Sequence, residues 1–336
     1  MPRLTQSAFH ENGRRFLLIY LFIYSSLMTT LLTLNDDDPK VIAARGAEQQ
    51  LFNYYGLRAK DHYVVLPEQG IRVRVSEIGS GDPIIIVPGN TGDVFPLASL
   101  LAEFKGKRII AINRPGGGLS EGMDHTTVNI RQFAIQTLST VLDEFKLKNV
   151  DVVAHSMGAH WSLWLAMDRP NYVRSLTLLG NPGNVMKGRP PFLVRLISKP
   201  PLNKWIFKLL APSDRSTALR LLGAIGHSKE TLICQPGALS DCYYYFRFLP
   251  HYLISLTSLL ENAAPKIDEQ QLKTVSQPVL FLLGTKDTFA SVETGRQIAA
   301  AIPNCEFHAL KRAGHLPWME DPAECGGLIN AFIGKG

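Results

Sequence analysis

The chain has 336 residues, of which 46% are apolar and 19% charged, and its formal net charge is +6. The apolar content excludes a disordered chain, and the ordinary Gly and Pro contents exclude collagen-like and low-complexity sequences. Four cysteines without a C-x-x-C pair exclude a disulfide scaffold and argue against a structural zinc site. Length and composition together predict one globular α/β domain with an additional segment.

The additional segment is an uncharged apolar stretch of nineteen residues, Phe16 to Leu34. As a helix it would be about 28 Å long, close to the roughly 30 Å hydrocarbon core of a bilayer. Because basic residues precede it and acidic residues follow, we expect a membrane anchor with residues 1–15 in the cytoplasm and the catalytic part on the other side. A cleaved signal peptide, which would give a secreted protein, is the alternative. The length of the stretch and the lack of an A-x-A-like site favour the anchor.

After a linker with a helix over residues 35–61, short strands alternate with helices. The first two strands alternate in polarity, which is typical of an antiparallel pair, whereas the later ones are near-continuous apolar runs typical of a buried parallel sheet. This order predicts βαβ units. Predicted strands cover His62–Leu66, Ile71–Ile78, Pro83–Val87, Arg108–Ile112, Val150–Val153, Ser175–Leu179, Val279–Leu283 and Glu306–Leu310, and predicted helices cover 94–104, 127–146, 157–168, 291–302 and 322–333.

Residues 185–274, called the cap segment below, interrupt this alternation. They contain helical stretches rich in Leu and aromatic residues and no strong strand. Because the strand pattern then resumes, we predict a helical cap inserted into an α/β core formed by residues 62–184 and 275–336. An autonomous second domain is the alternative.

The cap segment carries twelve basic and six acidic residues, with apolar side chains among the bases. Basic residues beside an apolar face are typical of contact with an anionic membrane surface, and an ordinary solvated face is the alternative. Nucleic acid is not an expected partner. We expect one aromatic group to line either the core of the cap or an acyl pocket: Tyr243, Tyr244, Tyr245, Phe246 and Phe248.

One predicted strand–turn–helix carries a serine at its apex. The strand Val150–Val153 leads into A-H-S-M-G, residues 154–158, and then into a helix. This pattern is typical of a nucleophile elbow, usually G-x-S-x-G, in which small flanking residues permit a strained turn. Ala154 replaces the first glycine, and its methyl group still permits the turn. The pattern predicts Ser156 as nucleophile and the N–H of Met157 as an oxyanion donor, with a plain strand–helix serine as the alternative.

A serine nucleophile needs a general base, and the base needs an acid that orients it. Asp287 follows the strand Val279–Leu283, and His315 follows the last predicted strand. Taken singly, Asp287 also suits a helix N-cap and His315 a surface histidine. Because both loops lie at one edge of a parallel sheet, in the chain order Ser, Asp, His, we predict a catalytic triad.

With two further loops, P-G-N-T-G (residues 88–92) and N-R-P-G-G-G-L-S (residues 113–120), these motifs resemble the α/β-hydrolase superfamily. The resemblance extends from about His62 to the C-terminus and includes G-T-K-D and A-G-H-L-P around the acid and the base. It implies a mostly parallel sheet with helices on both faces and an inserted helical cap. It also implies no metal and no organic cofactor.

The resemblance assigns roles to individual residues. Ser156 is the nucleophile, Asp287 the acid and His315 the base. The backbone N–H groups of Asn90 and Met157 form the oxyanion hole. Members of the superfamily usually begin the oxyanion loop with His-Gly, whereas this chain has Pro-Gly at positions 88 and 89 and lacks the histidine.

The resemblance implies a serine hydrolase, with a small or lipid-like carboxylic ester as the expected substrate. Carbon–carbon bond hydrolases and lyases use the same triad and are the first alternative. A catalytically silent interaction protein is the second, against which the intact triad counts.

Export would allow two disulfides, Cys234 with Cys242 and Cys305 with Cys325. Four separate thiols are an equally good alternative.

Overall fold

The computed structural model describes residues 33–186, 203, 206, 213–262 and 264–333. Its strands are β1 (Ala59–Val65), β2 (Arg72–Gly79), β3 (Asp82–Val87), β4 (Lys107–Ile112), β5 (Val150–His155), β6 (Val173–Leu179), β7 (Val279–Gly284) and β8 (Cys305–Leu310). They form one sheet in the order β1-β2-β4-β3-β5-β6-β7-β8. β2 pairs antiparallel with β1 and β4, and all other pairs are parallel. The predicted mostly parallel sheet with an antiparallel first pair is therefore confirmed.

The α-helices are α1 (Pro39–Tyr54), α2 (Ala98–Leu101), α3 (Ile130–Glu144), α4 (Met157–Asp168), α5 (Arg220–Gly223), α6 (Lys229–Ile233), α7 (Gly237–Phe246), α8 (Tyr252–Glu261), α9 (Glu269–Leu272), α10 (Val292–Ala300) and α11 (Pro322–Phe332). Short 3₁₀ turns cover Phe95–Leu97, His125–Thr127, Pro170–Tyr172 and Arg215–Thr217. The helix predicted over residues 94–104 is wrong in length. Its α-helical part is α2 alone, and the next turn closes with tighter i→i+3 bonds from the Glu103 and Phe104 amides.

The sheet is covered on both faces, which explains the apolar composition of its central strands. All six residues of β5 and of β7 are buried. Helices α3 and α4 pack on one face through a cluster that includes Trp161 and Trp164, and α2 and α11 pack on the other through a cluster that includes Trp318. Two apolar layers of this extent are the main stabilising feature of the domain.

The described part of the cap segment lies between β6 and β7 and is helical, with one isolated bridge between Val185 and Ile267. Of its aromatic group, Tyr243 and Phe246 pack on Phe95 beneath the cap, at centroid distances of 5.0 and 4.8 Å. Phe248 is 40% exposed. The Phe246 ring is buried and the Tyr243 ring is partly buried, and both pack in the cluster that joins the cap segment to the sheet.

No disulfide links the four cysteines, so of the two possibilities left open by the sequence, separate thiols rather than two disulfides are found. The two members of each pair lie on different elements and differ in burial. Cys234 is exposed at the end of α6, whereas Cys242 is buried within α7. Cys325 is likewise buried in α11, and Cys305 is half-buried in β8.

The predicted anchor lies outside the described residues except for its last two positions, 33 and 34. Within the described ranges, no helix is long and apolar enough to cross a bilayer. The first described residues contact the sheet, because the Leu34 carbonyl accepts a hydrogen bond from the Arg72 guanidinium on β2 at 3.3 Å.

Helix α1 is fastened to the sheet by a buried ion pair. The Arg74 guanidinium on β2 lies 2.5 Å from the Glu48 carboxylate on α1 and 2.8 Å from that of Asp61 on β1. The Arg74 and Glu48 side chains are 4% and 2% exposed. Burial raises the pKa of Glu48, and Arg74 opposes that rise. The Glu48 carboxylate therefore depends on Arg74 to carry its charge in the buried environment.

We expect Arg74→Ala to destabilise the protein by about 3–5 kcal/mol, because it leaves the Glu48 carboxylate buried and unpaired. The matched control is Arg108→Ala, which removes a half-exposed partner of Glu77 and should cost less than about 1 kcal/mol. Urea unfolding followed by circular dichroism measures both. Equal small losses would show that the Glu48 pair does not fasten α1.

Candidate active site

Ser156 occupies a strained turn between β5 and α4. Its φ and ψ are 50° and −117°, a conformation that residues with a Cβ rarely adopt. Its amide donates to the Leu179 carbonyl at 3.0 Å, which ties the turn to the neighbouring strand β6. Gly158 follows where any Cβ would overlap the carbonyls of Val87 and Pro88. Glycine is therefore required at position 158 of the A-H-S-M-G motif, because the backbone of Val87 and Pro88 lies too close for a side chain.

The structure brings Ser156, His315 and Asp287 together in one hydrogen-bonded line. His315 Nε2 lies 2.9 Å from Ser156 Oγ, and His315 Nδ1 lies 2.9 Å from Asp287 Oδ2. All three residues are buried, with exposures of 8%, 4% and 8% for the serine, histidine and aspartate. They come from the carboxyl ends of the parallel strands β5, β7 and β8, which explains how residues far apart in sequence meet.

Asp287 is fixed as an ionised acceptor. Its Oδ1 accepts from the Phe289 amide at 2.8 Å, and its Oδ2 also accepts from the Asn181 amide at 3.0 Å. Burial raises the pKa of this carboxyl, but His315 and the two amides outweigh burial, so the pKa of Asp287 lies below its usual value. The carboxylate can therefore hold the Nδ1–H of His315 throughout the neutral range.

Two neighbouring rings fix the position of His315. Phe289 stacks on the imidazole at a centroid distance of 4.2 Å and an interplanar angle of 26°. His155, which precedes the nucleophile, donates from Nε2 to the His315 carbonyl at 3.1 Å. Burial lowers the pKa of His155 well below its usual value, so this ring is neutral and adds no charge beside the base.

The P-G-N-T-G loop lies against the nucleophile. A Cβ added to Gly89 would overlap the His155 ring and come within 3.4 Å of Ser156 Cβ, so glycine allows this approach. The Gly89 carbonyl accepts from the Gly92 amide at 2.9 Å, which closes a turn around Asn90. Met157 is the first residue of α4, and its N–H therefore has no acceptor within the helix.

Arg114 holds the P-G-N-T-G loop in place through two of its carbonyls. Its Nε donates to the Pro88 carbonyl at 3.0 Å, and its Nη2 donates to the Gly89 carbonyl. Its guanidinium lies over the Trp161 ring at 4.6 Å. Because C=O and N–H point in opposite directions across a planar trans peptide, the bond to the Gly89 carbonyl turns the Asn90 N–H away from Arg114.

Two buried groups set the charge around this loop. Burial lowers the pKa of Arg114 to about 9, with Asp93 opposing, so the guanidinium stays cationic at neutral pH. Burial raises the pKa of Asp93 to about 7, while a hydrogen bond from the Gly118 amide lowers it. The loop is thus bordered by a permanent cation and a carboxyl that is partly protonated near neutrality.

Every predicted site residue lies in this cluster, although the catalytic roles themselves stay predictions. Sequence reasoning missed Arg114, His155 and Asn181. The first two stand inside motifs already singled out, and Asn181 stands at the end of β6, so their positions were the available signal. Within the described ranges, no cluster of His, Cys, Asp and Glu side chains suits a metal ion.

Comparison with known proteins agrees with this geometry. A protein-family model described as an alpha/beta hydrolase family matches residues 84–326. A 2-hydroxy-6-oxononadienedioate/2-hydroxy-6-oxononatrienedioate hydrolase of Paraburkholderia phymatum is 25% identical over 297 residues, covering 82% of this chain and 96% of the relative.

Solved structures share the fold at lower identity. Carboxylesterase CesB of Bacillus subtilis superposes with a TM-score of 0.70 at 16% identity, covering 88% of this chain and 98% of its own. A bacterial membrane phospholipase A superposes with a TM-score of 0.69 at 17% identity, covering 95% and 98%. The family model spans most of the chain, and the chain therefore belongs to the alpha/beta hydrolase family.

Proposed function

We propose that this protein is a membrane-anchored serine hydrolase that cleaves carboxylic esters through an acyl-enzyme on Ser156. The observation that carries the proposal is the buried line from Asp287 through His315 to Ser156, with both contacts at 2.9 Å. A histidine placed in this way takes the serine proton as the hydroxyl attacks a carbonyl.

In the acylation step, Ser156 Oγ attacks the ester carbonyl carbon and its proton moves to His315 Nε2. Asp287 stabilises the imidazolium that forms and keeps its Nδ1–H in place. The negative charge on the carbonyl oxygen is met by the N–H groups of Met157 and Asn90. Because Arg114 fixes the loop beforehand, little reorganisation is needed when this charge develops.

Collapse of the tetrahedral intermediate releases the alcohol, to which His315 gives its proton. In deacylation, His315 removes a proton from water, and the resulting hydroxide attacks the acyl carbonyl. The acid leaves with Ser156 Oγ reprotonated by His315. The same two N–H groups serve both steps, since the negative charge develops on the same oxygen.

Membrane attachment is part of the proposal and rests on the apolar stretch Phe16 to Leu34. The cap segment offers a second lipid contact on α7 and just after it. There the Arg247 guanidinium lies over the rings of Tyr244 and Phe248, at 4.6 and 4.2 Å. Arginine beside one exposed and one half-buried aromatic ring suits the interface of an anionic membrane.

An enzyme held at a membrane has lipid-like esters within its reach, and these are the proposed substrates. A membrane phospholipase A among proteins of this fold is consistent with that proposal.

Carbon–carbon bond hydrolysis is the second candidate, because a relative at 25% identity is named as a hydrolase of 2-hydroxy-6-oxononadienedioate, a compound without an ester bond. It uses the same nucleophile position, base and acid. The choice between the two depends on the substrate rather than on the triad.

The first test is the intact mass of the full chain in detergent after treatment with a fluorophosphonate. We expect one adduct on the parent and none on Ser156→Ala, because only a serine activated by His315 reacts quickly. Ester turnover by that variant should fall about 10⁴–10⁶-fold. A folded parent that takes up no adduct would favour the catalytically silent alternative.

The second test compares bond types. p-Nitrophenyl esters of increasing acyl length are measured beside β-diketone-type substrates, cyanohydrins and 2-hydroxy-6-oxononadienedioate. We expect esters to be turned over with kcat/KM on the order of 100-fold above the others. The Ser156→Ala variant gives the baseline. Turnover of the diketone-type substrates without esterase activity would reverse the order of the two candidates.

The third test concerns the anchor. We expect the full chain to stay with membranes during extraction at alkaline pH, and the double variant Ile23→Arg, Leu27→Arg to lose this retention. Each central arginine costs about 2.5–3.5 kcal/mol of insertion. A soluble protein with a new N-terminus after the apolar stretch would instead establish a cleaved signal peptide.

A further inference from the structure

Three consecutive backbone N–H groups of the loop that carries the base have acceptors at fixed positions. The Gly314 amide donates to Glu320 Oε2 at 3.3 Å. The His315 amide donates to the Ile225 carbonyl at 3.0 Å, and the Leu316 amide donates to His227 Nε2 at 3.2 Å. Two of the three acceptors belong to the cap segment, 89 or more positions earlier in the sequence. The base loop therefore depends on the cap for its hydrogen bonds.

The same stretch of the cap, residues 224–227, also contacts the loop of the acid. The Thr288 hydroxyl donates to the Ala224 carbonyl at 3.3 Å. Gly226, with a φ of +100°, lies so close to the Lys286 carbonyl that a Cβ at this position would overlap it. One short segment of the cap thus contacts the loops of both Asp287 and His315.

The hydrogen bonds define the proton position on His227. Because its Nε2 accepts from the Leu316 amide, the proton is on Nδ1, and it is donated to Glu320 Oε1 at 2.7 Å. Glu320 accepts through both oxygens, so it acts as a carboxylate. The His227 side chain is fully buried, and that of Glu320 is 13% exposed.

We propose that His227 is a positioning residue for catalysis, held by Glu320, through which the cap segment sets the place of the general base. This inference rests on the proposed function of the triad. The imidazole of His315 lies 2.9 Å from Ser156 Oγ, and its backbone is fixed on either side by His227 and Glu320. Loss of either support lets the loop shift, and a shift of about 1 Å at a reacting group costs up to 10²-fold in rate.

The experiment measures ester hydrolysis by full-chain His227→Ala, His227→Gln and Glu320→Gln. We expect His227→Ala to lower kcat by about 10–100-fold with KM within about threefold, as for other groups that orient a catalytic residue. His227→Gln keeps an oxygen that can accept from the Leu316 amide, so it should recover most of kcat. Glu320→Gln should lose activity, because the two donors bind different carboxylate oxygens and the NH2 group that replaces one oxygen cannot accept, so either the His227 Nδ1–H or the Gly314 amide loses its acceptor.

The matched control is His62→Ala. His62 Nε2 lies 2.7 Å from Glu77 Oε2 on β1 and β2, so it is a His–Glu pair of equal length away from the triad. We expect its kcat to equal that of the parent. A loss in the control similar to that in His227→Ala would show that the effect is general destabilisation.

A substrate-free readout separates this inference from the proposed function. The Nδ1–H of His315, held by Asp287, should give a low-field proton resonance in the parent and in His62→Ala. We expect it to shift or broaden in His227→Ala and Glu320→Gln. This holds even if the fluorophosphonate experiment shows that the protein is not an esterase.

Three results would overturn the inference: an unchanged resonance with parental kcat in folded His227→Ala, equal losses in His227→Ala and His227→Gln, or parental kcat in Glu320→Gln. If His227→Ala does not fold, the isosteric Glu320→Gln decides by the same split between kcat and KM.

Discussion

A single strained residue, Ser156, determines where everything else in the active site must be. Its φ of 50° costs a residue with a Cβ on the order of 1–3 kcal/mol. The conformation persists because β5 is buried along its whole length between β3 and β6, and because α4 begins at the very next residue. The result is a hydroxyl placed beyond the end of the sheet, with the first amides of a helix beside it.

The buried polar groups around this serine divide into two sides with opposite electrostatic needs. On the base side, amide donors and His315 keep Asp287 ionised despite burial. On the side of the proposed oxyanion hole, negative charge would oppose the proposed reaction. There the cation Arg114 binds two carbonyls, and burial raises the pKa of Asp93 to about 7. A partly protonated Asp93 reduces the negative charge that faces the Gly118 amide and Arg114 beside this loop.

The sequence alone predicted the sheet and the meeting of Ser156, Asp287 and His315, because both leave local patterns. Apolar runs indicate buried strands. A serine, aspartate or histidine just after such a run lies at the edge of the sheet where the carboxyl ends of the parallel strands meet. Partners that meet only through tertiary packing leave no such pattern. The Leu316 amide meets His227 across 89 positions. Packing likewise decides that Cys242 is buried while Cys234 is exposed. Hydrogen bonds of the following turn end α2 earlier than the sequence pattern predicts.

The order of strands in the sheet explains why the cap and the base are joined. The cap segment leaves the sheet after β6 and returns at β7, and β7 is flanked by β6 and β8. Because β6, β7 and β8 are parallel, the cap segment begins at the sheet edge where the loops of Asp287 and His315 also begin, and it crosses to the opposite edge before it enters β7. Contacts such as that between the His315 amide and the Ile225 carbonyl therefore follow from the place of insertion. An insertion that begins at this edge joins the cap segment directly to the loop of His315, through the hydrogen bonds that Ile225 and His227 accept.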